Sequence, residues 1–169
     1  MSKASPSPPG SAKTRRTFHI VASRFNAQYV DGLVDHVTEE LHALAPHGTI
    51  LVHRVPGSFE IPVVAREVAI QNTADAIIAC GVILRGETNH AENLSRSVTE
   101  ALQRIAIEHG VPVINAVLSF DNDNQARARC LENKINRGTE AARAAVEIAN
   151  VLSEVRSKQG ADGFQTAEE

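Results

Sequence analysis

The sequence predicts one α/β domain, a three-layer sandwich in which a four-stranded parallel sheet lies between two layers of helices. Four short runs rich in β-branched residues alternate with segments of helical periodicity, and this alternation is typical of parallel sheets. The third run, residues 76–84, is apolar without polar alternation, as in a strand covered on both faces. At 169 residues the chain has room for one hydrophobic core.

The first half of the domain is predicted to contain two units of a strand followed by a helix. The first strand ends at the turn Ser23 to Asn26, and apolar residues from Val30 to Leu44 then repeat at helical spacing. The second strand ends at Pro56-Gly57, and another helical pattern follows it. The predicted bounds are 17–22 and 50–55 for the strands and about 61–70 for the second helix.

The second half is predicted to begin with the buried third strand and a helix that stops at Gly110. Glycine suits the left-handed conformation that commonly ends a helix. Pro112 opens the fourth strand, and two further helical segments follow. The predicted bounds are 76–83 and 112–119 for the strands and about 124–135 and 139–155 for the last two helices.

The two ends of the chain lack apolar periodicity. Residues 1–16 and 158–169 are therefore predicted to be flexible tails, with a single domain over 17–157.

Composition argues against several classes of function. The net charge of -3 carries no basic excess for nucleic acid, and no apolar stretch is long enough to cross a membrane. The two cysteines, Cys80 and Cys130, fall in a predicted buried strand and a predicted helix, so no disulfide framework is implied and we expect a reducing cytoplasm. The histidines lack metal-site spacing, so we expect no metal. The Gly-x-Gly-x-x-Gly pattern of dinucleotide sites is missing, and we expect no bound cofactor. The sequence also lacks a phosphate-binding Walker loop.

Ligands of open parallel sheets bind outside the carboxyl ends of the strands. This rule selects four loops before any family is considered: 23–26, 56–60, 83–90 and 120–124.

Each candidate residue in or near these loops also has a purely structural interpretation. Phe25 either stacks on a flat heterocycle or plugs the end of the sheet. Glu60 either borders a site or faces a helix dipole. Asn89 and Glu92 also fit a capping box, whereas His90 suits proton transfer near neutral pH. A basic run either holds an anion or is a solvated face; it consists of Arg127, Arg129, Lys134 and Arg137.

Taken in order, the loops resemble the lumazine synthases from about Phe18 to Leu152. The matching segments are Ser-Arg-Phe-Asn after the first strand, Pro-Gly-Ser-Phe-Glu-Ile-Pro after the second and Gly-Val-Ile-Leu-Arg-Gly-Glu-Thr-Asn-His after the third. A fourth match is Gln125-Ala126 with Arg129, followed by Asn136-Arg137-Gly138. The resemblance implies a flavodoxin-like strand order, 2-1-3-4.

The resemblance also implies a reaction and roles for individual residues. It implies condensation of 5-amino-6-(D-ribitylamino)uracil with 3,4-dihydroxy-2-butanone 4-phosphate, the penultimate step of riboflavin biosynthesis. His90 would carry protons, and Arg129 of a neighbouring subunit would neutralise the phosphate. The expected substrate-binding residues are Phe25 on the pyrimidine; Ser58, Phe59 and Glu60 on the ribityl chain; Val82, Ile83 and Leu84 on the ring; and Gly86, Glu87 and Thr88 on the phosphate.

Two further substrate-binding positions depart from what this family often has. Asn115 stands where an aromatic or aliphatic residue often lines the ring pocket, and Arg137 stands where lysine is common. Arginine keeps the positive charge but changes its shape.

Members of the family form pentamers, some of which build icosahedral shells, so the resemblance implies a homo-oligomer whose site lies between subunits. The alternative is a non-catalytic riboflavin- or lumazine-binding paralogue. A flavodoxin-like response domain is disfavoured because the first strand is not followed by an acidic cluster.

Overall fold

The computed structural model describes residues 7–10, 15–86 and 89–162, and it confirms the α/β sandwich. The strands are β1 (Thr17–Ser23), β2 (Thr49–Val55), β3 (Ala76–Leu84) and β4 (Val113–Phe120). The helices are α1 (Ala27–Leu44), α2 (Ile61–Gln71), α3 (His90–His109), α4 (Asp123–Cys130) and α5 (Arg137–Asp162), with a 3₁₀ turn at Ser58–Glu60.

The sheet has the predicted strand order, β2-β1-β3-β4, and every neighbouring pair is parallel. The two central strands are buried on both faces. From Ala76 to Ile83 every residue of β3 is buried, which explains its unbroken apolar sequence.

Two hydrophobic clusters lie on opposite faces of the sheet. Alternate residues of β1 point to opposite faces, so Phe18 and Ile20 pack with α1 and α5, whereas Val21 packs with α2 and α3. Gly110 ends α3 in the predicted left-handed conformation, with φ at 65°. No helix in the described residues has the length and apolar character that a membrane crossing requires.

The last two helices differ most from the predicted bounds. The fourth helix stops at Cys130 rather than near residue 135, and Gly32 of α1 packs so closely against it that an added Cβ would lie 2.7 Å from the Cys130 carbonyl oxygen. The fifth helix runs to Asp162, so residues 158–162, predicted as tail, are helical. Its polar end needs no apolar face, because each added residue gains one helical hydrogen bond. Much of the predicted N-terminal tail and residues 163–169 lie outside the described residues.

Candidate functional site

A cavity of about 590 Å³ opens at the carboxyl ends of β1 and β3. We call it the β1–β3 cavity. It brings together three of the four loops selected from the sequence. Its lining residues are Phe25, Asn26, Gly57, Ser58, Phe59, Glu60, Val82, Ile83, Leu84, His90 and Leu94.

Two phenyl rings at the mouth of the cavity face solvent. Phe25 is 73% exposed and Phe59 is 63% exposed. Exposed aromatic rings beside an apolar floor, here the buried Val82 and Ile83, are characteristic of a surface that binds a flat ligand. The exposure of Phe25 argues against the interpretation that it plugs the end of the sheet.

The turn after β2 is held by its own side chains. The backbone N–H of Gly57 donates a hydrogen bond to Oε2 of Glu60 at 2.8 Å. The Ser58 side chain is buried against Gly81 of β3, where an added Cβ would lie 2.6 Å from the Ser58 hydroxyl oxygen. The carboxylate of Glu60 thus shapes the turn, and the close approach to Gly81 fixes the turn against the central strand.

His90 is the first residue of α3 and is exposed on the cavity wall. The preceding Asn89 makes no side-chain hydrogen bond to the helix, which argues against the alternative interpretation of Asn89 and Glu92 as a capping box. Glu92 instead pairs with Arg96, one helical turn away at 3.5 Å. The first turn of α3 therefore lacks an asparagine cap on its backbone N–H groups.

The loop between β3 and α3 is held at its start by two contacts at the end of β4. The backbone N–H of Arg85 donates to the carbonyl oxygen of Phe120 at 2.9 Å, and the guanidinium pairs with Asp121 at 2.8 Å. Gly86 follows as an exposed residue with open space around it. The predicted phosphate residues Glu87 and Thr88 lie outside the described residues.

Arg129 does not line the β1–β3 cavity. It lies half-buried on α4 and lines a different cavity of about 540 Å³ beyond the end of β4, which we call the α4 cavity. Tyr29 secures this helix to α1, because its hydroxyl donates to Oδ1 of Asp123 at 2.6 Å. That hydrogen bond raises the pKa of Tyr29.

Asn115 and Arg137 also lie apart from the β1–β3 cavity lining. Nδ2 of Asn115 donates to the Thr99 hydroxyl at 3.0 Å, and its Oδ1 accepts the backbone N–H of Val117 at 2.9 Å. The side chain is thus fixed along the exposed edge of the sheet. Arg137 begins α5 and pairs with Glu140 in the same helix.

Three residues of the cavity lining were absent from the predicted site residues, whether catalytic or substrate-binding: Asn26, Gly57 and Leu94. Gly57 and Asn26 belong to loops that the sequence had selected, so their position at strand ends was an available signal. Leu94 repeats at helical spacing with core residues of α3, and nothing in that pattern separates a wall residue from a core residue.

The described residues contain no group of three or more histidine, cysteine or acidic side chains placed to hold a metal ion. Burial raises the pKa of both Cys80 and Cys130 to about 12. At neutral pH these thiols are protonated, so neither is an effective nucleophile.

Comparison with known proteins adds independent information. A family model described as 6,7-dimethyl-8-ribityllumazine synthase matches residues 15–153. A protein of that name from Paraburkholderia phymatum is 43% identical over 142 residues, covering 83% of this chain and 80% of the relative. A Burkholderia multivorans protein of the same name is 44% identical over 133 residues, covering 78% and 75%. An Azoarcus protein, again of that name, is 41% identical over 134 residues, covering 79% and 83%.

Proposed function

This chain belongs to the 6,7-dimethyl-8-ribityllumazine synthase family, and we propose that the β1–β3 cavity is one half of its active site. As a member of the family it is a transferase of riboflavin biosynthesis. It condenses 5-amino-6-(D-ribitylamino)uracil with 3,4-dihydroxy-2-butanone 4-phosphate. The observation that carries the proposal for the site is that eight predicted residues from three separate segments of the chain line this one cavity. They are Phe25, Ser58, Phe59, Glu60, Val82, Ile83, Leu84 and His90.

The cavity suits the pyrimidine substrate by shape and chemistry. Its apolar floor at Val82 and Ile83 and the exposed ring of Phe25 provide two surfaces for a flat heterocycle. The turn Ser58–Glu60 presents backbone groups at the rim, where the hydroxyl groups of the ribityl chain would bind.

The phosphate of the second substrate is assigned to the start of α3. Helix N-termini attract anions because their first N–H groups have no helical partner and carry partial positive charge. The side chain of Asn89 makes no capping hydrogen bond to these groups, which supports this assignment. Gly86 brings the backbone close without a side chain, and Glu87 and Thr88 complete the proposed phosphate loop.

The chemistry requires positioning and proton transfer. An amine of the pyrimidine attacks the ketone and water is lost to form an imine, phosphate is then eliminated, and the ring closes with loss of a second water. His90, on the cavity wall beside the proposed phosphate site, is the residue that carries protons in these steps. Holding two small substrates in one cavity lowers the barrier by up to roughly 7–11 kcal/mol.

Arg129 acts on the cavity of an adjacent subunit in this proposal. Within one chain Arg129 lines the α4 cavity rather than the β1–β3 cavity, yet the leaving phosphate needs a cation. A cyclic assembly in which the β4 side of one chain meets the β1–β3 cavity of the next brings the two halves together. Asn115 and Arg137 would then border the pyrimidine from the second subunit. We propose a homo-oligomer built from pentamers and working in the cytoplasm, where free cysteines such as Cys80 remain reduced.

The proposed function is tested by mixing the purified chain with both substrates and following the absorbance of the lumazine product. Product formation that depends on both substrates and on protein concentration is expected. Tight riboflavin binding without product would instead identify a binding paralogue and contradict the assignment.

A further inference from the structure

We propose that Asn26 is a positioning residue that fixes the Phe25 ring at a set distance from Val82 and Ile83, and so determines the width of the slot for the pyrimidine. This inference rests on the proposed function, because it places the pyrimidine in the β1–β3 cavity. Its basis is a hydrogen bond of 2.8 Å from Nδ2 of Asn26 to the carbonyl oxygen of Val82.

This hydrogen bond lies where the pairing of β1 with β3 has ended. The last pair of residues is Ala22 and Cys80, and β3 continues for four more residues. The chain bends at Arg24, directly after β1. The backbone N–H of Arg24 donates at 2.8 Å to the last carbonyl group of β2. The side chain of Asn26 therefore reaches β3 beyond the last strand pair and supplies Val82 with a donor there.

The backbone of Asn26 is shaped for the same contact. Asn26 precedes α1 in the left-handed conformation, with φ at 54° and ψ at 44°. An asparagine at this position commonly accepts a hydrogen bond from the first turn of its helix, but here the side chain makes no such bond. Its amide instead joins segments 56 residues apart in sequence. Because Phe25 is the adjacent residue, this one bond ties the turn that carries the exposed ring to the floor of the cavity.

The carbonyl group that Asn26 contacts belongs to a residue that is 2% exposed. Removing the Asn26 amide leaves the buried carbonyl oxygen of Val82 without this hydrogen bond. The protein can satisfy that oxygen again only if the loop moves or a water molecule enters. Either change removes the direct bond that holds the turn carrying Phe25 to Val82. Affinity for the pyrimidine should then fall about tenfold, a typical effect of one lost buried hydrogen bond. The phosphate substrate binds elsewhere in the cavity and should be affected little.

The chain offers a matched control for this substitution. Asn26→Gly removes the amide but keeps a residue that adopts positive φ without strain. Asn72 is a second asparagine with positive φ, at 51°, and it ends α2 as an exposed residue outside the cavity lining. Asn72→Gly therefore reproduces the backbone change without the contact to Val82. Asn26→Asp adds a third variant of nearly the same shape that cannot donate when ionised.

Steady-state kinetics with each substrate varied in turn, together with equilibrium binding of the lumazine product, test the proposal. Asn26→Gly and Asn26→Asp should raise the KM of the pyrimidine and the Kd of the product about tenfold. For these variants the KM of the phosphate substrate should stay within about twofold of its value in the unsubstituted protein. Asn72→Gly should leave all three constants within about twofold of the unsubstituted values.

Three results would overturn the proposal. An unchanged pyrimidine KM in a folded Asn26→Gly protein would remove the positioning role. Equal increases for both substrates, accompanied by a lower unfolding midpoint, would show a general structural role. In both of these cases, normal turnover by the unsubstituted protein would still support the proposed function. If the unsubstituted protein neither forms nor binds the product, both the proposed function and the role of Asn26 are overturned.

Discussion

The imidazole rings of His19 and His53 are joined across neighbouring strands, with Nδ1 of His19 lying 2.9 Å from Nε2 of His53. Their planes differ by 15° and their centroids are 5.2 Å apart. His19 is buried on β1, whereas His53 is half-buried on the outer strand β2. Among the described residues, none forms a hydrogen bond with the buried Nε2 of His19, so a proton added there would place an uncompensated charge in the interior.

This pair predicts a loss of stability in mild acid. Burial, followed by the proximity of His53, lowers the pKa of His19 from its usual 6.5. The unfolded chain therefore binds more protons than the folded chain once the pH falls below about 6.5. The stabilisation from neutral His19 is complete above that pH and is lost as the pH falls towards the lowered pKa. Urea unfolding at pH 7.5 and 5.5, at one protein concentration, measures the effect.

Two histidine variants separate this effect from general acid denaturation. His19→Leu should weaken the decline in the free energy of unfolding between the two pH values, whereas His47→Gln, at an exposed position, should leave it unchanged. Equal declines in all three proteins would show that His19 does not contribute.

Gly81→Ala should destabilise the fold by about 1–3 kcal/mol, because the new methyl group collides with the Ser58 hydroxyl. Adding Ser58→Ala should recover part of that loss, since it removes the colliding oxygen. Urea unfolding of both single variants and the double variant measures the coupling. Gly10→Ala, in open space, is the control. Strict additivity of the two substitutions would contradict the close contact.

His90→Ala should lower kcat by about 10²–10⁴-fold while assembly stays intact, because the variant removes a proton carrier from an exposed position. Steady-state assays and size-exclusion chromatography measure the two properties. His42→Ala, on the exposed side of α1, serves as the control. An unchanged rate for His90→Ala would exclude this histidine from the mechanism.

Arg129→Ala should mainly raise the KM of the phosphate substrate, by about tenfold or more, since a charge-assisted hydrogen bond contributes roughly 1.5–3 kcal/mol. Arg127→Ala provides a control on the same helix, because Arg127 is exposed and does not line the α4 cavity. Kinetics with the phosphate substrate varied distinguish the two variants. If Arg129→Ala instead dissociates the assembly, its role is structural.

The sequence predicted the fold well because its strongest signals are local. The unbroken apolar run of β3 and the glycine at position 110 each indicate a conformation that depends mainly on residues nearby in the sequence. The end of α4 was missed because it depends on a distant contact, the approach of Gly32 to Cys130. The capping box at Asn89 failed for a related reason, since a pattern of residue types does not fix the direction of a side chain.

The candidate site likewise combines features that the sequence predicted with contacts that it did not. The rule that ligands bind at the carboxyl ends of strands selected the loops that line the β1–β3 cavity. The family resemblance supplied the roles of individual residues, which sequence spacing alone does not indicate. The contact of Asn26 with Val82 was not predictable, because it requires knowing that β1 ends before β3 does. The bond between Asn115 and Thr99 likewise depends on how α3 packs beside β4.

The central claim, that one chain provides His90 and an adjacent chain provides Arg129, predicts complementation between impaired subunits when activity is measured with the phosphate substrate well below its KM. His90→Ala and Arg129→Ala chains, co-expressed in equal amounts so that they assemble together, form sites of four combinations. About one quarter of these sites contain both native residues if the assembly is a ring. The mixed oligomer should therefore recover about a quarter of the unsubstituted activity. Activity no higher than the mean of the two separate variants would contradict a site shared between subunits.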